Sequence, residues 1–230
     1  MKLKKLVAIT LSAVMCMAAL TGCGGKSDSA KKTAKVIEVD LTDEQYAFGV
    51  DKDQPDLLKE VNQFVADMKS DGTFDEVCNR YFGDGTPVPV KSAAYDESKD
   101  QLVVATNAAF EPFEYMDGEN YVGIDMEIAK ALADKLGKEL VIQNMDFDAV
   151  CLSVGQHKCD IAMAGLTIKP DREEYVAFSD PYYSASQKLI TVSTDTEFDD
   201  CKTADDVNKI LEAKGSDLKI GFQNGTTGQF

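Results

Sequence analysis

Few residues of this chain could carry out covalent chemistry. The sequence holds one histidine, His157, and six cysteines scattered without the paired CxxC spacing of a zinc site. It contains no nucleophile-elbow motif and no Ser, His and Asp arrangement for acyl transfer. His157 lies at the end of a predicted helix, where we expect it to be exposed. The sequence therefore predicts no catalytic residue, no metal site and no cofactor.

The sequence does contain side chains suited to binding an anion. Arg172 presents a planar guanidinium fork that matches a carboxylate. Thr226 and Thr227 follow a predicted strand at the start of a predicted helix, where free backbone amides and the helix dipole favour a negative charge. An alternative for Arg172 is a surface position paired with Asp171 or Glu173.

An α/β fold must position these residues. Apolar residues at spacings of three and four predict helices, and short apolar runs between them predict strands. The alternation predicts a doubly wound, mostly parallel sheet with helices on both faces and ligands at the carboxyl ends of its strands. The predicted strands cover 45–50, 102–105, 140–142, 160–164, 187–192 and 218–222, and the predicted helices cover 55–71, 73–82, 124–136, 147–154, 171–176 and 203–214.

The composition restricts the class of protein. The 230 residues are 44% hydrophobic, enough for one or two packed domains, and carry a formal charge of −16. This charge repels a phosphate backbone, and the chain has no basic stripe to overcome the repulsion. We therefore expect no nucleic-acid partner.

The first residues are typical of an exported protein. Three lysines within Met1 to Lys5 precede an apolar run from Leu6 to Leu20, too short to span a membrane stably. The Leu-Thr-Gly-Cys sequence that follows resembles a bacterial lipobox, which implies cleavage of a signal peptide, residues 1–22, and lipidation of Cys23. The alternative is a signal peptide without lipidation. Residues 23–40 are expected to form a tether to the membrane. Export also allows one or two disulfides among Cys78, Cys151, Cys159 and Cys201, whose pairing the sequence does not determine.

Three ordered motifs resemble the family 3 extracellular solute-binding proteins, the amino-acid receptors of ABC importers. They are TNAAFEPFEY with YVGIDMEIA (106–115 and 121–129), DIAMAGLTI with Arg172 and FSDPYY (160–168 and 178–183), and IGFQNGTT (220–227). The resemblance implies a type II periplasmic-binding-protein-like fold, in which two lobes close on a ligand. It also implies an ABC permease as partner, and we expect a monomer, anchored by lipid on the outer face of the cytoplasmic membrane.

The order of the segments suggests a circular permutation. Residues 46–83 resemble the end of such proteins and not their beginning. We expect residues 41–195 to form lobe I, made of 41–83, a connector at 84–100, and 101–195. Residues 196–230 then start a truncated lobe II, and the acid that binds the ligand's ammonium in the family would lie past Phe230. A tandem rearrangement is the alternative.

The resemblance assigns candidate ligand contacts. Arg172 would hold the α-carboxylate of an amino acid, helped by Thr167 and by backbone groups of Ala164 and Gly165. Gly165 has the alternative of a plain turn residue. Asp125, at the start of a predicted helix, is expected to cap that helix and not to contact the ligand. Phe110 would stack on the ligand side chain, and Phe147 would form an apolar wall. Thr226 and Thr227 would bind the carboxylate. Asn107 replaces an acid found in relatives that bind cationic amino acids, which favours a neutral or polar ligand.

Two other functions stay open. Some dehydratases and peptidoglycan lyases share the fold, and Glu111 or Glu114 could then act as a general acid. A sensor or interaction module without transport is the third possibility. Because no catalytic motif is present, the receptor is the favoured prediction and an enzyme is not expected.

Overall fold

The computed structural model describes residues 33–229 of the protein. The predicted signal peptide, Cys23 and the tether up to residue 32 lie outside this part. The strands are β1 (Ala34–Val36), β2 (Glu44–Tyr46), β3 (Gly49–Asp51), β4 (Gln101–Thr106), β5 (Ala109–Phe110), β6 (Glu114–Asp117), β7 (Asn120–Val122), β8 (Glu139–Asn144), β9 (Ile161–Ala162), β10 (Val176–Phe178), β11 (Tyr183–Ala185) and β12 (Ile190–Val192). The α-helices are α1 (Pro55–Asp71), α2 (Thr73–Phe82), α3 (Ile124–Leu136), α4 (Phe147–Gly155), α5 (Pro170–Glu173) and α6 (Ala204–Lys214).

A five-stranded sheet forms the centre of the molecule. Its order is β10-β3-β9-β4-β8, with β4 parallel to both β9 and β8. The strand β3 is antiparallel to β9 and to β10, so the other four strands run in one direction. The prediction of a mostly parallel sheet in an α/β fold is therefore confirmed.

Helices cover both faces of this sheet because its strands are apolar on both sides. Leu102 and Val104 of β4 pack into the core beneath α1, α2 and α3, whereas Val103 and Ala105 pack against α4 on the opposite face. Successive side chains of a strand point to opposite faces, and an all-buried strand such as β4 is typical of a sheet covered on both sides.

The head of the chain is integral to this sheet. Strand β3 lies between β9 and β10, although it precedes both by more than 100 residues. Helix α1 follows with Pro55 in its first turn and ends at Gly72 in the left-handed conformation, as the Pro and Gly positions predict. Residues 46–77 thus contribute to the same core as residues 102–182.

A smaller second core is built from two distant parts of the chain. Strand β1 pairs antiparallel with β12, and this pairing extends through backbone hydrogen bonds from Ile37 to Leu189 and from Leu41 to Gln187. The buried members of this core are Ile37, Val39, Phe198 and Val207. We call residues 42–186 the first body, and residues 34–41 with 187–229 the second body.

The second body corrects two expected boundaries. Residues 34–40 were expected to belong to a tether, but their alternation of exposed and buried side chains places them in a strand and its extension. Residues 187–195 were expected in lobe I, but they pair with residues 34–41 instead. The physical reason is that Ile37 and Val39 find apolar partners only in the later segment, which a local pattern does not reveal.

Two smaller expectations are also settled. Residues 218–222 were expected to form a strand, but they are largely exposed and pair with no strand of the described chain. Cys78, Cys151, Cys159 and Cys201, for which one or two disulfides were allowed, are all free thiols. Among residues 33–229, no helix combines the length and apolarity needed to cross a membrane.

Candidate functional site

The predicted site residues gather at one edge of the central sheet. Strands β4, β8 and β9 are parallel neighbours, and each is followed directly by one of the predicted segments. Because the carboxyl ends of parallel strands meet at the same edge, these segments lie side by side. Asn107, after β4, accordingly donates its amide to the carbonyl oxygen of Met145, after β8, at 2.7 Å.

Arg172 is the buried cation of this edge. Its Nη1 donates to the backbone carbonyl of Thr167 at 2.8 Å, and its Nη2 donates to that of Gly225 at 3.0 Å. The guanidinium lies over the ring of Phe147, 5.1 Å from its centroid, in a cation–π contact. The side chain forms no ion pair with Asp171 or Glu173 within residues 33–229, so the alternative of a surface pair is wrong. Burial lowers the pKa of the guanidinium from its ordinary value.

Glu44 is a site residue that the sequence reasoning missed. It is 3% exposed, and its carboxylate accepts hydrogen bonds from the hydroxyls of Thr42, Thr167 and Thr227 at 2.7, 2.7 and 2.9 Å. Burial opposes ionisation of Glu44, but these hydroxyl groups outweigh it, and the pKa lies below the ordinary value for glutamate. No local pattern marks this residue, because two of its three partners, Thr167 and Thr227, come from distant segments.

Thr167 joins the two charges. Its carbonyl oxygen accepts from Arg172, while its hydroxyl donates to Glu44. A cation and an anion are therefore held on the two polar groups of one buried residue. This arrangement is complementary to a zwitterion in which a carboxylate and an ammonium are attached to the same carbon, because the cation of the site suits the carboxylate and the anion suits the ammonium.

The second body reaches the site through several polar contacts, one of which is the backbone amide of Gln187 donating to Thr42. Besides the Gly225 carbonyl on Arg172 and the Thr227 hydroxyl on Glu44, the amide of Gln223 donates to Asn107 at 3.1 Å. Thr226 does not join them, because its hydroxyl donates to the carbonyl oxygen of Gln223 within the same turn.

Aromatic rings lie beside the charged pair. A cavity of about 610 Å³ opens next to Thr42, a hydrogen-bond partner of Glu44, although Arg172, Glu44 and Thr167 do not themselves line it. Phe110, 40% exposed, stacks on Phe113 with ring centroids 5.6 Å apart and lies so close to Gly165 that a Cβ there would be 3.1 Å from its ring. Gly165 also has φ of +53°, so both of these constraints favour glycine. The cavity is lined by Asp40, Thr42, Asp43, Tyr46, Phe82, Phe110, Phe113 and Tyr183, with residues 184–186.

Two other residues singled out in the sequence are Ala164 and Asp125. Ala164 is buried in the core on the α4 face, so its side chain supports the site from below. Asp125 was expected to cap a helix, but α3 begins at Ile124 after Gly123 and the Asp125 side chain makes no cap. It instead accepts from the Gly165 amide at 2.9 Å and from the Tyr182 hydroxyl at 2.6 Å. Asp125 therefore holds the Gly165 turn in place.

Two buried acids, Asp125 and Glu114, bear on the alternative that the chain is an enzyme. Burial raises the pKa of Asp125 to about 6, although its two hydrogen bonds partly oppose the rise. Glu114 is 0% exposed, neither carboxyl oxygen has a hydrogen-bond partner within the described chain, and burial raises its pKa well above the ordinary value. A carboxyl with no exposed surface cannot contact a substrate in this structure, so Glu114 does not fit the role of a general acid. Glu111 is exposed.

Comparisons with known proteins point to one family. The family model of the bacterial extracellular solute-binding proteins, family 3, matches residues 102–220. The arginine-binding extracellular protein ArtP of Bacillus subtilis is 40% identical over 96 residues, 42% of this chain and 38% of its own length. ABC transporter arginine-binding protein 1 of Escherichia coli is 33% identical over 131 residues, 56% of this chain and 49% of its own length.

Other relatives extend the comparison. The cyclohexadienyl dehydratase of Pseudomonas aeruginosa is 31% identical over 127 residues, 54% of this chain and 47% of its own length. Among solved structures, an ancestral arginine-binding protein bound to arginine is 41% identical, with a TM-score of 0.36, over 37% of this chain and 38% of its own. The chain thus spans between about a third and a half of the length of these relatives.

Proposed function

Since the chain belongs to the bacterial extracellular solute-binding proteins, family 3, we propose that it is the substrate-binding protein of an ABC importer and captures an amino acid. The observation that carries this proposal is the pair of opposite charges on Thr167. Arg172 would bind the α-carboxylate of the amino acid, and Glu44 would bind its ammonium in place of the hydroxyl of Thr227.

The cavity suggests the kind of side chain. The sequence alone favoured a neutral or polar amino acid, because Asn107 stands where some relatives have an acid. However, the rings of Phe110, Tyr46 and Tyr183 line the cavity together with Asp40 and Asp43, which suits a cationic side chain. Several relatives are named as arginine-binding proteins. We therefore propose arginine or a similar cationic amino acid.

Three ligands of matched shape test this assignment by calorimetry. Arginine has both α-groups, agmatine lacks the carboxylate, and the des-amino analogue of arginine lacks the ammonium. Breaking a desolvated, charge-assisted pair costs about 2–5 kcal/mol. We expect Arg172→Ala to weaken arginine and the des-amino analogue more than tenfold while leaving agmatine nearly unchanged, and Glu44→Gln to weaken arginine and agmatine while sparing the des-amino analogue.

The controls separate loss of an interaction from loss of the fold. Arg172→Lys keeps the charge but removes the planar fork, so its affinity should lie between those of the protein and of Arg172→Ala. Circular dichroism of each variant checks that it folds. Equal losses for all three ligands would contradict the assignment of the two charges, and tighter binding of glutamine than of arginine would contradict the cationic side chain.

Attachment to the membrane is the remaining part of the proposal. The lipobox-like sequence before Cys23 supports export and lipid anchoring on the outer face of the cytoplasmic membrane, where a partner permease would receive the ligand. Cells that express the chain while growing in the presence of radiolabelled palmitate should yield a labelled protein, and Cys23→Ser should remove the label. A labelled Cys23→Ser variant would contradict lipidation at this residue.

A further inference from the structure

A second group of polar side chains lies at the opposite edge of the central sheet. Strand β3 runs antiparallel to β9, so Asp51 at the end of β3 lies beside the beginning of β9, away from the candidate site. Asp51, Asp53 and His157 meet there, and their ligand atoms all lie within 4.8 Å of one another. None of the three contributes to the site described above.

Asp51 orients the other two residues. Its side chain is 4% exposed, and both carboxylate oxygens are used. Oδ1 accepts the backbone amide of Asp53 at 2.9 Å, and Oδ2 lies 2.7 Å from Nδ1 of His157. When Nδ1 donates to this carboxylate, the proton is fixed there and Nε2 keeps a free lone pair. A carboxylate that holds one ring nitrogen while the other faces outward is the arrangement found behind metal-bound histidines.

The outward nitrogen faces a second carboxylate at a spacing suited to a metal. Nε2 of His157 lies 3.6 Å from Oδ2 of Asp53, which is too long for a hydrogen bond. Two ligands bound to one tetrahedral zinc ion at ~2.0–2.2 Å are separated by ~3.4 Å. The Asp53 and His157 side chains are 80% and 57% exposed, so water can complete the coordination.

The backbone places the histidine at this point. Helix α4 ends in a turn in which the amide of His157 donates to Val154 and that of Lys158 donates to Ser153, each at 2.9–3.0 Å. His157 has φ of +58° in this turn, a conformation that side chains other than glycine adopt at a cost. The ring is thereby directed at Asp51.

We propose that Asp53 and His157 form a zinc-binding site in which Asp51 acts as the positioning residue. Imidazole and carboxylate together suit Zn²⁺ among divalent cations, and two acidic groups supply a complementary charge. The site is independent of the proposed amino-acid binding, because it lies at the other edge of the sheet.

The single histidine makes a direct test possible. The full chain, labelled at histidine and purified without a polyhistidine tag, is titrated with zinc chloride in a buffer that does not chelate metal. The ring resonances of His157 are followed by NMR, so zinc bound by cysteines elsewhere gives no signal. We expect a saturable shift at Nε2, and at least tenfold weaker binding for both Asp53→Asn and Asp51→Asn.

A matched control and a stability measurement complete the experiment. Asp56→Asn makes the same charge change three residues away and should leave the zinc affinity within twofold of the unmodified chain. Asp53 is exposed, so its variant should keep the melting temperature of the unmodified chain. The proposal is overturned if the His157 resonances do not shift at millimolar zinc, or if Asp53→Asn binds zinc as tightly as Asp56→Asn, since a lone imidazole would then explain the binding.

Discussion

The two bodies contribute to the candidate site in unequal ways. The first body, which is built around a five-stranded sheet with a core on each face, holds Arg172, Thr167 and Glu44. The second body has one small core and touches the site through Gly225, Thr227 and Gln223. One half of the site is therefore preorganised by packing, whereas the other half depends on a few hydrogen bonds. This difference suits a protein in which one part must move relative to the other for a ligand to enter.

Matched core substitutions should reveal the difference most strongly. Phe48 is 1% exposed in the first body, and Phe198 is 4% exposed in the second. We expect Phe48→Ala to lower the free energy of global unfolding by about 3–5 kcal/mol, measured by urea denaturation. Phe198→Ala should instead speed hydrogen exchange within 34–41 and 187–211 and leave the amides of β4 protected. Equal acceleration in β4 would mean that the two bodies unfold as one.

Two buried carboxylates should respond to pH in opposite directions. The pKa of Glu44 is lowered in the folded protein, so the stability it contributes is present above its ordinary pKa of 4.5 and is lost as the pH falls. The pKa of Asp125 is raised from 3.8 to about 6, so in that interval the carboxyl ionises in the unfolded chain while it stays protonated in the folded protein, and stability falls as the pH rises.

Denaturation curves at several pH values measure both effects. Glu44→Gln should flatten the loss of stability on acidification below pH 4.5, and Asp125→Asn should flatten the loss between pH 3.8 and about 6. We expect the Glu44 effect to be the smaller of the two, since the hydroxyl groups that lower its pKa are opposed by burial. Identical pH profiles for the two variants would contradict the assigned directions.

Local patterns predicted most of the helices. The spacing of Val61, Phe64, Val65 and Met68 predicts the buried face of α1, and Gly72 predicts its end, because a helical stripe and a left-handed cap are both local properties. The same reasoning fails for residues 218–222. Whether an apolar run becomes a strand depends on a neighbouring strand to accept its hydrogen bonds, and the described chain provides none there.

The candidate site, too, was predictable only where its residues lie close together in the sequence. Arg172 and Thr167 were predictable, because they lie within ten residues of one another in a motif with a resemblance to a family. Glu44 and the group around His157 were not, because each is defined by partners more than 100 residues away. Asp125 was identified from the sequence but given the wrong role, since a position near a helix start looks the same whether the side chain caps the helix or faces the core.

The sequence by itself determined the α/β class, the helices, the family and the buried arginine, all of which follow from short-range spacing and side-chain chemistry. Only the tertiary structure decided that residues 34–41 pair with 187–192, that Glu44 lies opposite Arg172 across Thr167, and that His157 faces Asp51. These juxtapositions depend on which apolar faces find each other when the chain collapses. That choice is made by packing over long separations, and no local pattern in the sequence records it.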